Sequence, residues 1–433
     1  MKATTQYLIL LSFDCLSSHD IPILEELPNF RRLMQTGTTC KNVETIYPSL
    51  TYPCHTSIVT GNYPKRHGIT SNTLLQPGKS SPDWYWHRHH IEGTTLYDEA
   101  KKAGLKTAAF LWPVTAKGDI DYHMPEIFAN RSYHHQIPVS LFNGSFFYQL
   151  EMNRRFGKLR KGLQQPHLDD FVLESAAYTI KAKKPNLMLV HFTDLDTQRH
   201  YHGVSSNEAK AALRRHDERL GKILEAVEVS GLKEQTTIAA LGDHSALDEC
   251  KAVKPNTILK EMGLLEVNAK GNVSNWAAYC KSCDGSAYIY AKNDDSRLDS
   301  RLLEHFKVLS QDGSNGIERV LTREEASEKG ADPNASLMLE ASLGFYFSES
   351  YEGDYIDTIT QKDVDSKKYT WASHGYSPDK PDYQTVLILS GSGIAKNKIL
   401  PSMRLVDEGP TFARLLGLNL GETDGTVQEG FFI

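Results

Sequence analysis

The sequence predicts an α/β fold: a mostly parallel central sheet with helices on both faces. Two observations carry this. Short apolar runs alternate with helix-periodic segments along the chain, the pattern of strand–helix–strand units. Several of these runs stop at an acid or histidine, as strands do when they deliver polar groups to one edge of a sheet.

The elements follow in order. "QYLILLSFD" reads as a strand ending at Asp14. "CHTSIVTG" reads as a short helix stopped by Gly61, and "TLYDEAKKAG" as an amphipathic helix closed by Gly104. "LKTAAFLWP" is the next strand. "FVLESAAYTIKAKKP" is a helix, and "NLMLVHFTDLD" a strand ending in acids. "SSNEAKAALRRHDERLGKILEAVEVSG" is a long helix with a period near 3.6. "QTTIAALGDHS" is a strand ending in Asp-His. "DYQTVLILSGSGI" is a strand leading into a glycine turn. Two stretches break the rhythm. Residues 118–166 read as an insertion at the edge of the core, and residues 250–370 as a smaller inserted α+β subdomain. The core is thus residues 1–249, with a C-terminal return over 371–433.

Composition bounds the function. With 433 residues, 40% hydrophobic and 24% charged, the chain can build a sizeable core. Its net charge of −6 argues against polymeric nucleic acid as a partner. No apolar run reaches the roughly 18 residues of a membrane span, so no stable membrane association is expected. "MKATTQYLILLSFDCL" reads as a buried strand rather than a cleaved leader, and six cysteines suit a reduced compartment. The expected location is the cytoplasm. "CKSC" at Cys280 and Cys283 is a lone C-x-x-C, read as plain thiols, with redox or metal use as the alternative. The basic run "RRFGKLRKG" reads as a solvated face, with a membrane or an anionic ligand as the alternative.

Open α/β sheets bind ligands beyond the carboxyl ends of their strands. At those ends lie Asp14, Thr51, Asp196 with His200, Asp243 with His244, and His374. Taken singly, an Asp after a strand is a turn former. Together they offer carboxylate and imidazole ligands at one edge, a set suited to Zn²⁺ and less well to Mn²⁺. Seven groups exceed one tetrahedral site, so two ions are expected, the arrangement that clamps an in-line displacement. A metal-bound Thr51 would be an activated nucleophile.

These residues and their surroundings resemble the nucleotide pyrophosphatase/phosphodiesterase family of the alkaline phosphatase superfamily. "PSLTYPCHTSIVTGNYPKRHGITSN" is similar to its nucleophile segment, "TDLDTQRHYHG" to its Asp-x-x-x-His loop, "LGDHS" to its Asp-His pair and "SHGY" to its last ligand. "FLWPVT" and "PTFARLLGL" are similar as well, so the likeness runs from about residue 6 to 425. The resemblance implies an alkaline phosphatase-like core. It implies one ion on Asp196, His200 and His374, and a second on Asp14, Thr51, Asp243 and His244. It makes Asn72 the amide that holds a nonbridging phosphoryl oxygen. Tyr52 stands where the family carries an aromatic that stacks on a base or leaving group. The loop "DWYWHRHH" adds aromatics, read equally as a pocket wall or as packing. The sequence departs from the family at Leu195 and Arg199, where Pro and Gly are usual, and His202 competes with His200 as a ligand.

The implied activity is a two-metal phosphodiesterase or nucleotide pyrophosphatase working through a covalent phospho-threonine on small phosphodiesters or nucleotides. The alternative is another phosphoryl hydrolase of the superfamily, a phosphomonoesterase or phosphonate hydrolase. A sulfatase is disfavoured, because "YPCHTS" around Cys54 does not match Cys/Ser-x-Pro-x-Arg. A non-catalytic scaffold is disfavoured because all seven ligands are present. Monoesterases of the superfamily carry an arginine beside the nucleophile. Here the neighbours are Leu50 and Tyr52, so diesters are the expected substrates unless Lys65 or Arg66 reaches round.

Overall fold

The computed structural model describes residues 3–79, 81–292 and 295–433. Among them, nine strands form the central sheet. Six come from the first part of the chain: β1 (Tyr7–Phe13), β2 (Gly37–Glu44), β3 (Thr107–Phe110), β4 (Tyr122–Met124), β5 (Leu187–Phe192) and β6 (Thr236–Leu241). The order across the sheet is Lys398–Leu400, β2, Thr385–Gly391, β6, β1, β5, β3, β4, with Met403–Arg404 extending the edge beside β2. All pairings are parallel except those of Thr385–Gly391, which runs antiparallel to both β2 and β6.

β1 is the centre of the sheet. It pairs from Leu8 opposite Leu187 to Phe13 opposite Phe192 on one side, and from Tyr7 opposite Thr236 to Ser12 opposite Leu241 on the other. Its side chains alternate between two cores, because successive residues of a strand point to opposite faces. Ile9, Leu11 and Phe13 join the cluster beneath helices Pro28–Thr36, His167–Ala182 and Asn207–Val229. Leu8 and Leu10 join the cluster beneath Thr51–Thr60, Leu96–Lys102 and Glu408–Leu416.

Two stretches differ from the sequence reading. The segment read as an edge insertion, 118–166, supplies β4 before its helices Gln136–Asn143 and Phe146–Phe156. A three-residue strand is too short for its period to register. The acids after "LMLVHF" do not extend β5, which stops at Phe192. They lie in a helix, Asp194–His202, so Asp196 and His200 share one face through i, i+4 spacing.

Between the core strands stands an antiparallel sheet, in the order Ala278–Cys283, Ser286–Ala291, Leu337–Ala341 and Ile317–Thr322, backed by helix Ser296–Ser310. A second small sheet pairs Leu247–Val253 with Gly344–Phe347, Ile356–Thr358 and Ala372–Ser373. It sets His374 at its end. Gly375 follows at φ 81°, where a Cβ would stand 1.8 Å from the Cys283 carbonyl oxygen, so only glycine fits.

Phe13 is fully buried, with ring centroids 5.3 Å from Phe30, 5.5 Å from Phe192 and 4.9 Å from His216. Phe13→Ala should therefore destabilise the fold by about 3–5 kcal/mol, read as a lower urea midpoint. A midpoint within error of the parent would show that this core does not carry the sheet.

Candidate metal centre

Thr51 opens helix Thr51–Thr60 as its first residue, and Leu50 stands at the N-cap without a side-chain bond. The Thr51 hydroxyl is therefore not used in capping. Its Oγ1 lies 3.2 Å from His244 Nε2, at the positive end of the helix. One turn on, His55 holds the helix from below. Its Nδ1 meets the Thr51 carbonyl oxygen at 2.8 Å and its Nε2 meets Ser12 Oγ at 2.8 Å.

Two triads lie side by side here, and His244 of the first meets the hydroxyl. Asp14, Asp243 and His244 form one, and Asp196, His200 and His374 the other, with ligand atoms in each within 4.8 Å of one another. His244 Nε2 lies 3.3 Å from Asp14 Oδ1 and 3.2 Å from Asp243 Oδ2. Asp196 Oδ1 lies 3.3 Å from His200 Nε2 and 3.9 Å from His374 Nε2. The rings of His244 and His374 stack at 3.8 Å and join the triads.

The imidazoles are oriented alike. His200 Nδ1 bonds the Ala372 carbonyl at 2.7 Å, His244 Nδ1 that of Ser245 at 3.1 Å, and His374 Nδ1 that of Ser49 at 3.1 Å. A carbonyl only accepts, so each Nδ1 carries a proton and each neutral ring turns its Nε2 lone pair into the site. The carboxylates match. Asp14 Oδ1, Asp196 Oδ1 and Asp243 Oδ2 are buried and have no hydrogen-bond partner. Groups left this way fit a divalent cation, since a buried unpaired oxygen is costly without one.

The electrostatics agree. Burial, with Asp243 and Asp196 beside it, pushes the Asp14 carboxyl up to about 7. Burial pushes Asp243 up to about 7. Burial alone would raise Asp196 as well, but His200 holds it below the usual carboxylate range. Burial lowers His374 to about 3. Burial also works against a charged His200, but Asp196 raises it to about 10, so without a cation this ring carries a second proton on Nε2, which a bound metal would replace. Positive charge supplied between the triads would relieve the crowding of carboxylates.

Asn72 is half-buried, and its Oδ1 accepts the Tyr52 backbone N–H at 2.9 Å. That bond fixes the amide so that its NH₂ remains a donor. The Tyr52 side chain departs from the expectation of a stacking surface. It is 0% exposed, packs 5.1 Å from the Trp84 ring and donates its hydroxyl to Glu126 at 3.2 Å. A ring closed on all sides has no face for a base. Trp84 and Trp86 of the aromatic loop pack in the same cluster. Arg66 does not reach round either: it pairs with Glu422 and Asp424, and Lys65 bonds the Ser327 carbonyl. His202 is exposed and belongs to neither triad. Cys280 and Cys283 are buried free thiols, three apart on one strand and so on opposite faces.

The roles of three residues escape the sequence reading. His191, inside the apolar run of β5, bonds Asp14 Oδ2 at 3.0 Å and is held behind by the Leu111 carbonyl and Glu126. Its signal is an imidazole in an otherwise apolar strand. Arg199 stands where the resemblance expects glycine. It is buried, pairs with Asp20 Oδ1 at 2.6 Å and donates to the Cys15 carbonyl oxygen, tying helix Asp194–His202 to the loop after β1. Cys15 sits at φ 68° and donates its N–H to Asp243 Oδ1 at 3.1 Å.

The chain has relatives among known proteins. The chain is 27% identical over 229 residues to human ectonucleotide pyrophosphatase/phosphodiesterase family member 1, covering 50% of this chain and 21% of that protein. It is 23% identical over 417 residues to venom phosphodiesterase 2 of Crotalus adamanteus, covering 92% of this chain and 44% of that protein. The matched region thus spans less than half the length of these relatives. Among solved structures, an inactive variant of murine ectonucleotide pyrophosphatase/phosphodiesterase 5 in complex with AMP has a TM-score of 0.66 at 18% identity, covering 98% of this chain and 97% of that one. At that identity the likeness is one of fold. The family model described as type I phosphodiesterase / nucleotide pyrophosphatase matches residues 8–377. The chain belongs to the type I phosphodiesterase / nucleotide pyrophosphatase family.

Proposed function

We propose that this protein is a two-metal phosphodiesterase or nucleotide pyrophosphatase that cleaves its substrate through a phospho-threonine on Thr51. One observation carries the reading: three imidazole Nε2 lone pairs and three unpartnered carboxylate oxygens converge beside an uncapped threonine hydroxyl. The donor set suits zinc, with manganese second. Asp196, His200 and His374 would hold one ion, and Asp14, Thr51, Asp243 and His244 the other. When bound, the ions supply the positive charge that makes the threonine hydroxyl acidic and offsets negative charge on the phosphoryl group.

The chain's own groups do the rest. Thr51 Oγ attacks phosphorus and its proton leaves to the medium, while the ester oxygen opposite departs with its alcohol or nucleotide. Water then attacks the phospho-threonine, and the Thr51 oxygen leaves and takes back a proton. The NH₂ of Asn72 donates to a nonbridging oxygen in both steps, and the N-terminus of helix Thr51–Thr60 favours the negative charge that develops there. His191 keeps Asp14 fixed from behind. The substrate is a small phosphodiester or nucleotide, a class supported by the AMP bound in the murine relative of the same fold. Six free cysteines support a reducing compartment such as the cytoplasm.

Chelator treatment should abolish hydrolysis of bis-p-nitrophenyl phosphate, and Zn²⁺ should restore it. Metal analysis of the active protein should read about two zinc ions per chain. Full turnover by metal-free protein would rule out the two-metal reading.

Thr51→Ala should lower turnover by about three orders of magnitude or more, with little change in thermal stability because the hydroxyl caps nothing. Activity within about tenfold of the parent would place the nucleophile elsewhere, such as a metal-bound water.

Bis-p-nitrophenyl phosphate should show a higher kcat/KM than p-nitrophenyl phosphate at equal pH and zinc. A monoester dianion needs cationic groups around its nonbridging oxygens. Leu50 and Tyr52 carry no charge, and Arg66 and Lys65 are engaged elsewhere. A monoester preference would move the assignment to the phosphomonoesterases.

A further inference from the structure

The face built by residues 128–165 takes no part in the chemistry above. Over this stretch the sequence holds six Lys or Arg and one acid, Glu151, although the whole chain carries a net charge of −6. Three of the cations are engaged: Arg131 with Asp83, Arg155 with Glu151, and Arg160 over the Phe171 ring. Arg154, Lys158 and Lys161 are exposed and, among the described residues, meet no carboxylate.

The same stretch is the most apolar part of the surface. Of thirteen large apolar side chains exposed among the described residues, eight lie here, with Phe147 at 83%, Tyr133 at 74%, Ile137 at 68% and Phe142 at 66%. Helix Gln136–Asn143 buries none of its residues. In helix Phe146–Phe156, the spacing of Phe147, Leu150 and Arg154 puts a ring, an aliphatic chain and a cation on one face. Water is a poor solvent for such a surface, and a patch of this kind on a folded chain marks an interaction site.

We propose that the helical pair 136–156, with the basic turn that follows it, docks the protein reversibly on an anionic lipid bilayer. The protruding rings would enter the boundary between headgroups and acyl chains. Arg154, Lys158 and Lys161 would meet the phosphates and carboxylates of acidic lipids. The bilayer is the occupant that supplies both halves of the complement, apolar depth for the exposed rings of Tyr133, Phe142 and Phe147 and negative charge for the cations beside them. A second copy of the chain would set the same cations against one another. This docking departs from the expectation, drawn from composition, of no stable membrane association. It needs no spanning segment, and no helix among the described residues is long and apolar enough to be one.

Flotation of the full chain with vesicles tests it. The protein should float with phosphatidylcholine vesicles containing about a third phosphatidylserine, should float poorly with phosphatidylcholine alone, and should be released by salt, since each cation near the surface contributes about fivefold. Phe147→Ser with Phe142→Ser, and separately Arg154→Glu with Lys158→Glu, should each lower the partition by about tenfold or more. Both pairs should leave turnover of soluble bis-p-nitrophenyl phosphate unchanged. Failure of the parent protein to float, or variants that float equally well, would overturn the proposal. So would a concentration-dependent dimer in sedimentation that Phe147→Ser dissolves, which would assign the face to self-association.

Discussion

Three carboxylates buried within reach of one another are the constraint around which this molecule is arranged. Asp14, Asp196 and Asp243 cannot all stay ionised in a dry pocket on their own, and two of them are pushed to about 7 for that reason. The surrounding structure holds them there regardless. His191 and the Cys15 N–H each fix one carboxylate oxygen and leave the other free. Three backbone carbonyls fix the imidazoles from behind. Packing and hydrogen bonds thus stabilise an arrangement that electrostatics alone would disperse, the pattern of a site preformed for a cation.

The sheet makes this possible by bringing its ends to a common edge. β1 and β6 are neighbours, so Asp14 and Asp243 follow adjacent strands and come together without a long loop. Gly242 allows that approach, since a Cβ there would stand 1.8 Å from the Leu16 carbonyl oxygen. Arg199 gives the loop after β1 a second anchor, in a position where the resemblance expects glycine. A guanidinium stays charged when buried, and Asp20 buried beside it offsets the cost of taking that charge out of water. The two are best regarded as one unit.

Much of the core was legible in the sequence because its signals are local. The apolar run of β1, the glycine after helix Thr51–Thr60 and the i, i+4 pair Asp196 and His200 each lie within a few residues. What escaped depends on distant neighbours. The seat of Tyr52 is decided by Trp84, Trp86 and Ile127, which the chain reaches only after folding, so its ring was read as open when it is enclosed. β4 is too short to carry a period. His191 is one imidazole in the apolar strand β5, and its partners, Asp14 and Glu126, lie far away in sequence. The first turn of helix Asp194–His202 reads as the end of a strand because its acids follow an apolar run without a break.

The bond between His374 and the Ser49 carbonyl joins residues 325 positions apart, and His200 is held by Ala372 across 172. One triad is therefore assembled from the two ends of a long closure, with the α+β unit in between. Contacts of such high sequence separation form late, because the entropy of closing the loop must be overcome before they return any energy. During synthesis β1 and β6 can pair and bring Asp14 and Asp243 together, but β2, which leads to Thr51, reaches β6 only through Thr385–Gly391, a strand made after His374. The centre would thus close only when Thr385–Gly391 enters the sheet, and a chain interrupted before that strand would hold acids and imidazoles without the hydroxyl beside them.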